Sequence, residues 1–273
     1  MLIAELIAAA CVLIRPVGAL PVPDAPAASE AGTLVVGDGR TVRLHNPGGA
    51  GAEELLARVA ANIGSAVDAV EAFWGTDWSH DIVVVATGSG RQFDVEVGAV
   101  PDGWPTDIAA VAVSERVDPA RRLAVGQRIV FAPGANTMSD SALRIVLGHE
   151  LFHYAARADT ALDAPRWLTE GVADFVGRPS ERRPEATTAS PRWPAVLPSD
   201  AELDAPGPQR SLAYDRAWGF ARFVADTYGP AQLRELYLRA CGTGHVDPAT
   251  AVRDVLGIGL PELLARWQQW PTR

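Results

Sequence analysis

Two β-prone runs, the mostly apolar Thr33-Leu34-Val35-Val36 and the alternating Thr41-Val42-Arg43-Leu44, lie on either side of Gly37-Asp38-Gly39-Arg40. Asp-Gly between β-prone runs predicts a hairpin, and Pro47-Gly48-Gly49 closes the unit. The period then lengthens. From Ala52 to Trp74, the residues Leu55, Leu56, Val59, Ile63, Val67, Val70 and Phe73 recur every three or four positions. This predicts an amphipathic helix, with Gly75 as its stop. Continuous apolar runs at Ile82–Ala86 and Ile108–Val113 read as buried strands, and the Gly- and Pro-rich stretch 98–106 between them as loop. Arg128–Phe131 is a further strand, ended by Pro133-Gly134. Ser139 and Asp140 offer N-caps to a helix from Ser141 to about Ala156.

Pro165 suits the first turn of another helix running to Phe175. Arg178–Pro206 is Pro-rich, charged and without period, which predicts a long loop. Beyond it, Ser211–Tyr228, Pro230–Ala240, Pro248–Leu256 and Pro261–Trp270 all carry helical spacing. Strands with helices come first and helices alone follow. That order predicts an α+β protein: a mixed sheet-and-helix lobe over 33–160, then a mainly helical lobe over 161–273, with an active-site cleft between them.

The first 32 residues differ from the rest. Leu2–Ile14 is apolar but broken by Glu5 and ended by Arg15, and Pro16–Gly32 is rich in Pro and Ala. An apolar core before a small-residue stretch such as Val17-Gly18-Ala19 resembles a secretory leader, which implies export to the cell envelope or beyond. A cytoplasmic protein with a plain N-terminal tail is the alternative. The apolar run is too short for a membrane span.

Composition narrows the field of functions. Hydrophobic residues at 48% and charged residues at 21% describe a chain with a core rather than a disordered one. A net charge of −9 argues against nucleic acid as the main partner, because phosphate binding needs a basic surface. The cysteines, Cys11 and Cys241, supply neither a disulfide framework nor a cysteine metal site.

The strongest chemical signal is His149-Glu150-Leu151-Phe152-His153, inside a predicted helix. Residues four apart share a helix face. Both imidazoles therefore reach one metal ion, and Glu150 lies beside water held there. Catalytic zinc keeps three protein ligands and one open position, so a third ligand is needed. Asp159 follows His153 by six residues, which resembles the HExxHxxGxxH/D layout of metzincin-like peptidases, but Ala156 occupies the position of the turning Gly. Glu170 is the other candidate, within Arg166-Trp167-Leu168-Thr169-Glu170-Gly171-Val172-Ala173-Asp174-Phe175.

That last segment resembles the gluzincin metallopeptidases, in particular peptidase MA-like proteins, which carry W-L-x-E-G-x-A-[DE]-[YF] after HExxH. The resemblance implies a zincin-like fold, Zn2+ held by His149, His153 and Glu170, and Asp174 accepting the Nδ1–H of a ligand histidine, His149. Ser211–Ala217 is similar to the family's segment in which a Tyr opens a helix, which implies that Tyr214 stabilises an oxyanion. The plain alternative is that Tyr214 packs beside Trp218. His245 is a weaker candidate for that role. By the same resemblance, the strand Arg128–Phe131 is the edge strand that pairs with extended substrate. Gly134-Ala135-Asn136 is no close match to the peptide-binding motif of aminopeptidases. The implied activity is hydrolysis of a peptide or protein by metal-activated water, with Glu150 as general base. The rival reading is a catalytically inactive zincin scaffold used for binding at the cell surface.

Overall fold

The computed structural model describes residues 8–9, 30–98, 104, 107–178 and 196–270. Most of the expected leader over 1–32, and the stretch 179–195 of the expected long loop, lie outside the described residues. The chain divides into two compact units, Met1–Ala158 and Asp159–Arg273. The first combines sheet and helix, and the second is helical among the described residues.

In the first unit, strands β2 (Glu30–Val36) and β3 (Arg40–His45) form the expected antiparallel hairpin. Gly37 and Gly39 turn the chain there with φ of 54° and 100°, values that a side chain would oppose. Helix α1 (Ala50–Trp74) follows, then β4 (Asp81–Ala86), parallel to β3. The stripe Leu55, Leu56, Val59, Ile63, Val67 and Val70 is fully buried. Each such burial stabilises by roughly 1.5–3 kcal/mol, so this face rather than helix propensity holds α1 in place.

The chain continues through α2 (Gly90–Val97), β5 (Ile108–Val113), β6 (Arg116–Asp118), β7 (Leu123–Val125), β8 (Arg128–Phe131) and α3 (Asp140–Ala156). The sheet order is β5-β8-β4-β3-β2, with a two-residue strand β1 (Ala8–Ala9) beside β5. β8 runs parallel to β4 and antiparallel to β5.

This topology corrects the expected edge strand. Arg128–Phe131 is interior, paired on both sides, and Ile108–Val113 lies next to the sheet's outer edge. β8 precedes α3, the candidate metal-binding helix, in sequence, but strand order is set by long-range pairing that no local pattern encodes. Val111 and Val113 join Val85, Val130 and Phe93 in a core under α2. By the two-residue period of a strand, Ala110 and Ala112 face the opposite side, where α3 packs on β5. Their small side chains permit that approach.

The second unit comprises α4 (Arg166–Gly177), α5 (Asp200–Leu203), α6 (Pro208–Tyr228), α7 (Pro230–Cys241), α8 (Pro248–Leu256) and α9 (Leu260–Gln269). α5 falls inside the stretch expected to be loop. α4 packs against α6 at Gly171, where an added Cβ would stand 2.5 Å from the Ala217 carbonyl oxygen. Gly171 is therefore required by the close approach of two backbones. Edge-on aromatic contacts of Phe220 with Trp167, at 5.2 Å, and with Trp267, at 5.5 Å, fill the core beside it. No helix among the described residues is long and apolar enough to cross a membrane.

One buried cation anchors the first unit. Arg40 has no exposed surface. Its guanidinium donates to Glu71 Oε1 at 2.9 Å, to the carbonyls of Thr76, Trp78 and Ser79 at 2.9–3.0 Å, and to Asp38 Oδ2 at 3.2 Å. It also lies 3.6 Å from the centroid of the Trp78 ring. A guanidinium is the side chain whose forked donors serve so many acceptors at once. Arg40→Ala is expected to destabilise the fold by about 2–4 kcal/mol, because several buried acceptors lose their donor together. Arg40→Lys should recover only part of that. Chemical denaturation checks both, and a loss below about 0.5 kcal/mol for the Ala variant would refute the anchoring role.

Candidate metal centre

Ser139 caps α3 by accepting from the Ala142 amide at 3.2 Å, and Asp140 in the first turn favours the positive end of the helix dipole. Leu143, Val146, Leu147 and Leu151 are buried where α3 packs against α1 and against β5 and β8. Tyr154 ties its C-terminal part down, donating its hydroxyl to the Asp81 carbonyl at 2.8 Å. Burial pushes the Tyr154 hydroxyl up to about 12, so it stays a donor at any ordinary pH. α3 is thus fixed by a cap, an apolar face and a tyrosine.

This rigid helix carries His149, Glu150 and His153, exposed by 0%, 0% and 3%. The Nε2 atoms of His149 and His153 stand 3.1 Å apart. Nitrogen atoms at that distance either share a proton or face a common cation. Two nitrogen donors at 2.0–2.1 Å from a tetrahedral ion would be roughly 3.3 Å apart, so the observed spacing fits that use with little movement. One ligand atom each from His149, His153 and Glu170 lies within 4.8 Å of the others, and all three residues are buried. This group could hold a metal ion.

Asp159 is outside the group. The physical reason lies at the end of α3. Its C-cap, Arg157, has φ −52° and ψ −44°, ordinary right-handed helix. Among the described residues other than glycine, only Arg122 has positive φ. Without a left-handed turn at Ala156 the chain runs on, and Thr160 bridges to Gly242. His245 is also outside the group; it pairs with Asp163 at 3.2 Å.

Glu150 has an anchor that no sequence pattern announced. Its Oε2 accepts the Ala112 amide of β5 at 2.7 Å. The Ala132 amide donates to the Ala109 carbonyl, so in this antiparallel pair residues 109, 111 and 113 face β8, and residues 108, 110 and 112 face the outer edge. The carboxylate of Glu150 therefore sits at the outer edge of β5. A strong, charge-assisted bond holds it there.

On α4, Arg166, Glu170 and Asp174 follow one another at intervals of four and so share a face, and Arg178, the residue that caps the helix C-terminus, comes four further on. Glu170 is 0% and Asp174 1% exposed. Arg178 Nη2 lies 3.1 Å from Asp174 Oδ2. Arg166 donates to Asp204 at 2.9 Å. Burial works against the Arg166 charge, but Asp204, Glu170 and Tyr214 outweigh it and hold its pKa above the usual value. Tyr214 is 3% exposed and packs with Leu203, Ala213 and Trp167. The sequence reading missed both arginines, although the four-residue spacing from Glu170 and Asp174 was there to be seen.

Compared with known proteins, the chain matches no protein-family model and no curated protein.

Proposed function

We propose that this chain is a zinc-dependent metallopeptidase with a zincin-like fold, of the gluzincin type. The observation that supports the reading most is the buried His149–His153–Glu170 group with Glu150 between the two histidines in sequence. A purely structural zinc site would call for four protein ligands and no neighbouring base.

His149, His153 and Glu170 would hold the ion, and Asp174 would orient His149 as carboxylates behind metal-bound histidines do. The chemistry that zinc supplies when bound is Lewis acidity, which acidifies water and polarises a carbonyl. Glu150 takes a proton from the attacking water onto its carboxylate and passes it to the leaving amine. The Ala112 amide keeps that carboxylate from rotating away. An extended peptide would lie along the outer edge of β5, beside Glu150. Tyr214 would donate to the oxyanion of the tetrahedral intermediate.

The protein as purified should contain about one zinc per chain and should hydrolyse a generic unfolded protein. A chelator should abolish hydrolysis and added zinc should restore it. Zinc without hydrolysis would favour the binding scaffold instead. A chain with no affinity for zinc would sink both readings.

A further inference from the structure

Two buried carboxylates one helical turn apart repel each other, and their burial needs a cation nearby. Glu170 and Asp174 stand in that relation, exposed by 0% and 1%. Arg178, one turn further on, meets Asp174 with Nη2 at 3.1 Å. The order Asp then Arg at this spacing also suits the helix dipole, with the cation at the C-terminal end. Arg178 is itself only 13% exposed. Its Nη1 donates to Asp215 Oδ1 on α6 at 3.3 Å. Its guanidinium lies 5.7 Å from the centroid of the Trp218 ring, on the same helix. Burial raises the Asp215 carboxyl above its usual range, and Arg178 counters it. Asp215 directly follows Tyr214 in α6.

We infer that Arg178 is a positioning residue for the metal centre: it clamps Asp174 on α4 to Asp215 on α6, and so fixes the turn that carries Glu170 against the turn that carries Tyr214. The inference rests on the metallopeptidase reading above. Gly171 lets the two helices touch, but backbone contact alone does not set the rotamer of a buried carboxylate. The forked guanidinium does, because it engages a carboxylate with each of two nitrogens and is boxed in by an indole. Lysine, with a single charged nitrogen, would keep the charge and lose one of the two attachments.

The test is zinc affinity of the full chain, measured by competition with a chelating dye, with unfolding of the zinc-free protein followed in parallel. Arg178→Met should weaken zinc binding about 10–100-fold, as loss of groups supporting metal ligands does. Arg178→Lys should recover part of the loss. If Arg178 acts through Asp174, adding Arg178→Met to Asp174→Asn should cost less than about 3-fold more. Should the Met variant fail to fold, Asp215→Asn tests the other end of the clamp and should weaken zinc by about 3-fold or more. A folded Arg178→Met chain that binds zinc as tightly as the unaltered chain overturns the inference while leaving the metallopeptidase reading intact. So does an equal loss in the presence and absence of Asp174. An unaltered chain that takes up no zinc overturns both.

Discussion

Glu150→Gln is expected to retain zinc and to lose about 10²–10⁴-fold in turnover, the range that a positioned general base contributes. Glutamine has the same length, and its amide oxygen can accept the Ala112 N–H as Glu150 Oε2 does at 2.7 Å. The side chain should therefore stay where it is. What disappears is the basic oxygen, since an amide does not take a proton from water near neutral pH. At 1.36 kcal/mol per factor of ten the loss corresponds to about 2.7–5.4 kcal/mol of transition-state stabilisation. Zinc content by elemental analysis and kcat on one substrate separate the two effects. A Gln variant with near-normal turnover would end the general-base mechanism even with zinc in place. Glu150→Ala is the poorer experiment, because it also leaves the Ala112 amide without its acceptor and disturbs the edge of β5.

The elements that were legible in the sequence are those whose burial repeats with the helical or strand period. α1 shows its stripe from Leu55 to Val70, and α3 and α4 are apolar around their charged residues. α2 was not legible, since Phe93 is its one buried residue, Val95 is exposed and most of the others are polar. α5 was legible and overlooked. Ser199 and Glu202 form a capping box, each side chain bonding the other's backbone amide, and the Ser-x-x-Glu spacing stands in the sequence. Four helical residues are too few for any hydrophobic period to reveal.

The candidate site divides in the same way. His149, His153 and Glu170 come from residue type and spacing within two helices. The anchor of Glu150 does not, because Ala112 contributes only its main chain, and any residue but proline supplies an N–H. The place of β5 beside the outer edge follows from strand pairing across the chain, so the sequence pointed to Arg128–Phe131 instead.

The proposed third ligand gives the other large effect. Glu170→Ala is expected to lower zinc affinity well beyond the roughly 10–100-fold typical of a supporting residue, and to abolish hydrolysis. Two histidines four apart offer nitrogen atoms from one side only. The carboxylate of Glu170, with a ligand atom within 4.8 Å of theirs, is what closes the set. It is also the group that offsets part of the ion's charge, which a neutral alanine cannot do. Asp174→Asn should stay within that 10–100-fold range, since an amide can still accept a hydrogen bond but carries no charge. Asp159→Ala should leave zinc binding unchanged, because the chain passes Ala156 and Arg157 in right-handed helical geometry and does not fold back. Isothermal titration with zinc distinguishes the three variants. If Asp159→Ala strips the metal while Glu170→Ala keeps it, the gluzincin reading fails, and the ligand must instead reach the ion through a rearranged turn after α3.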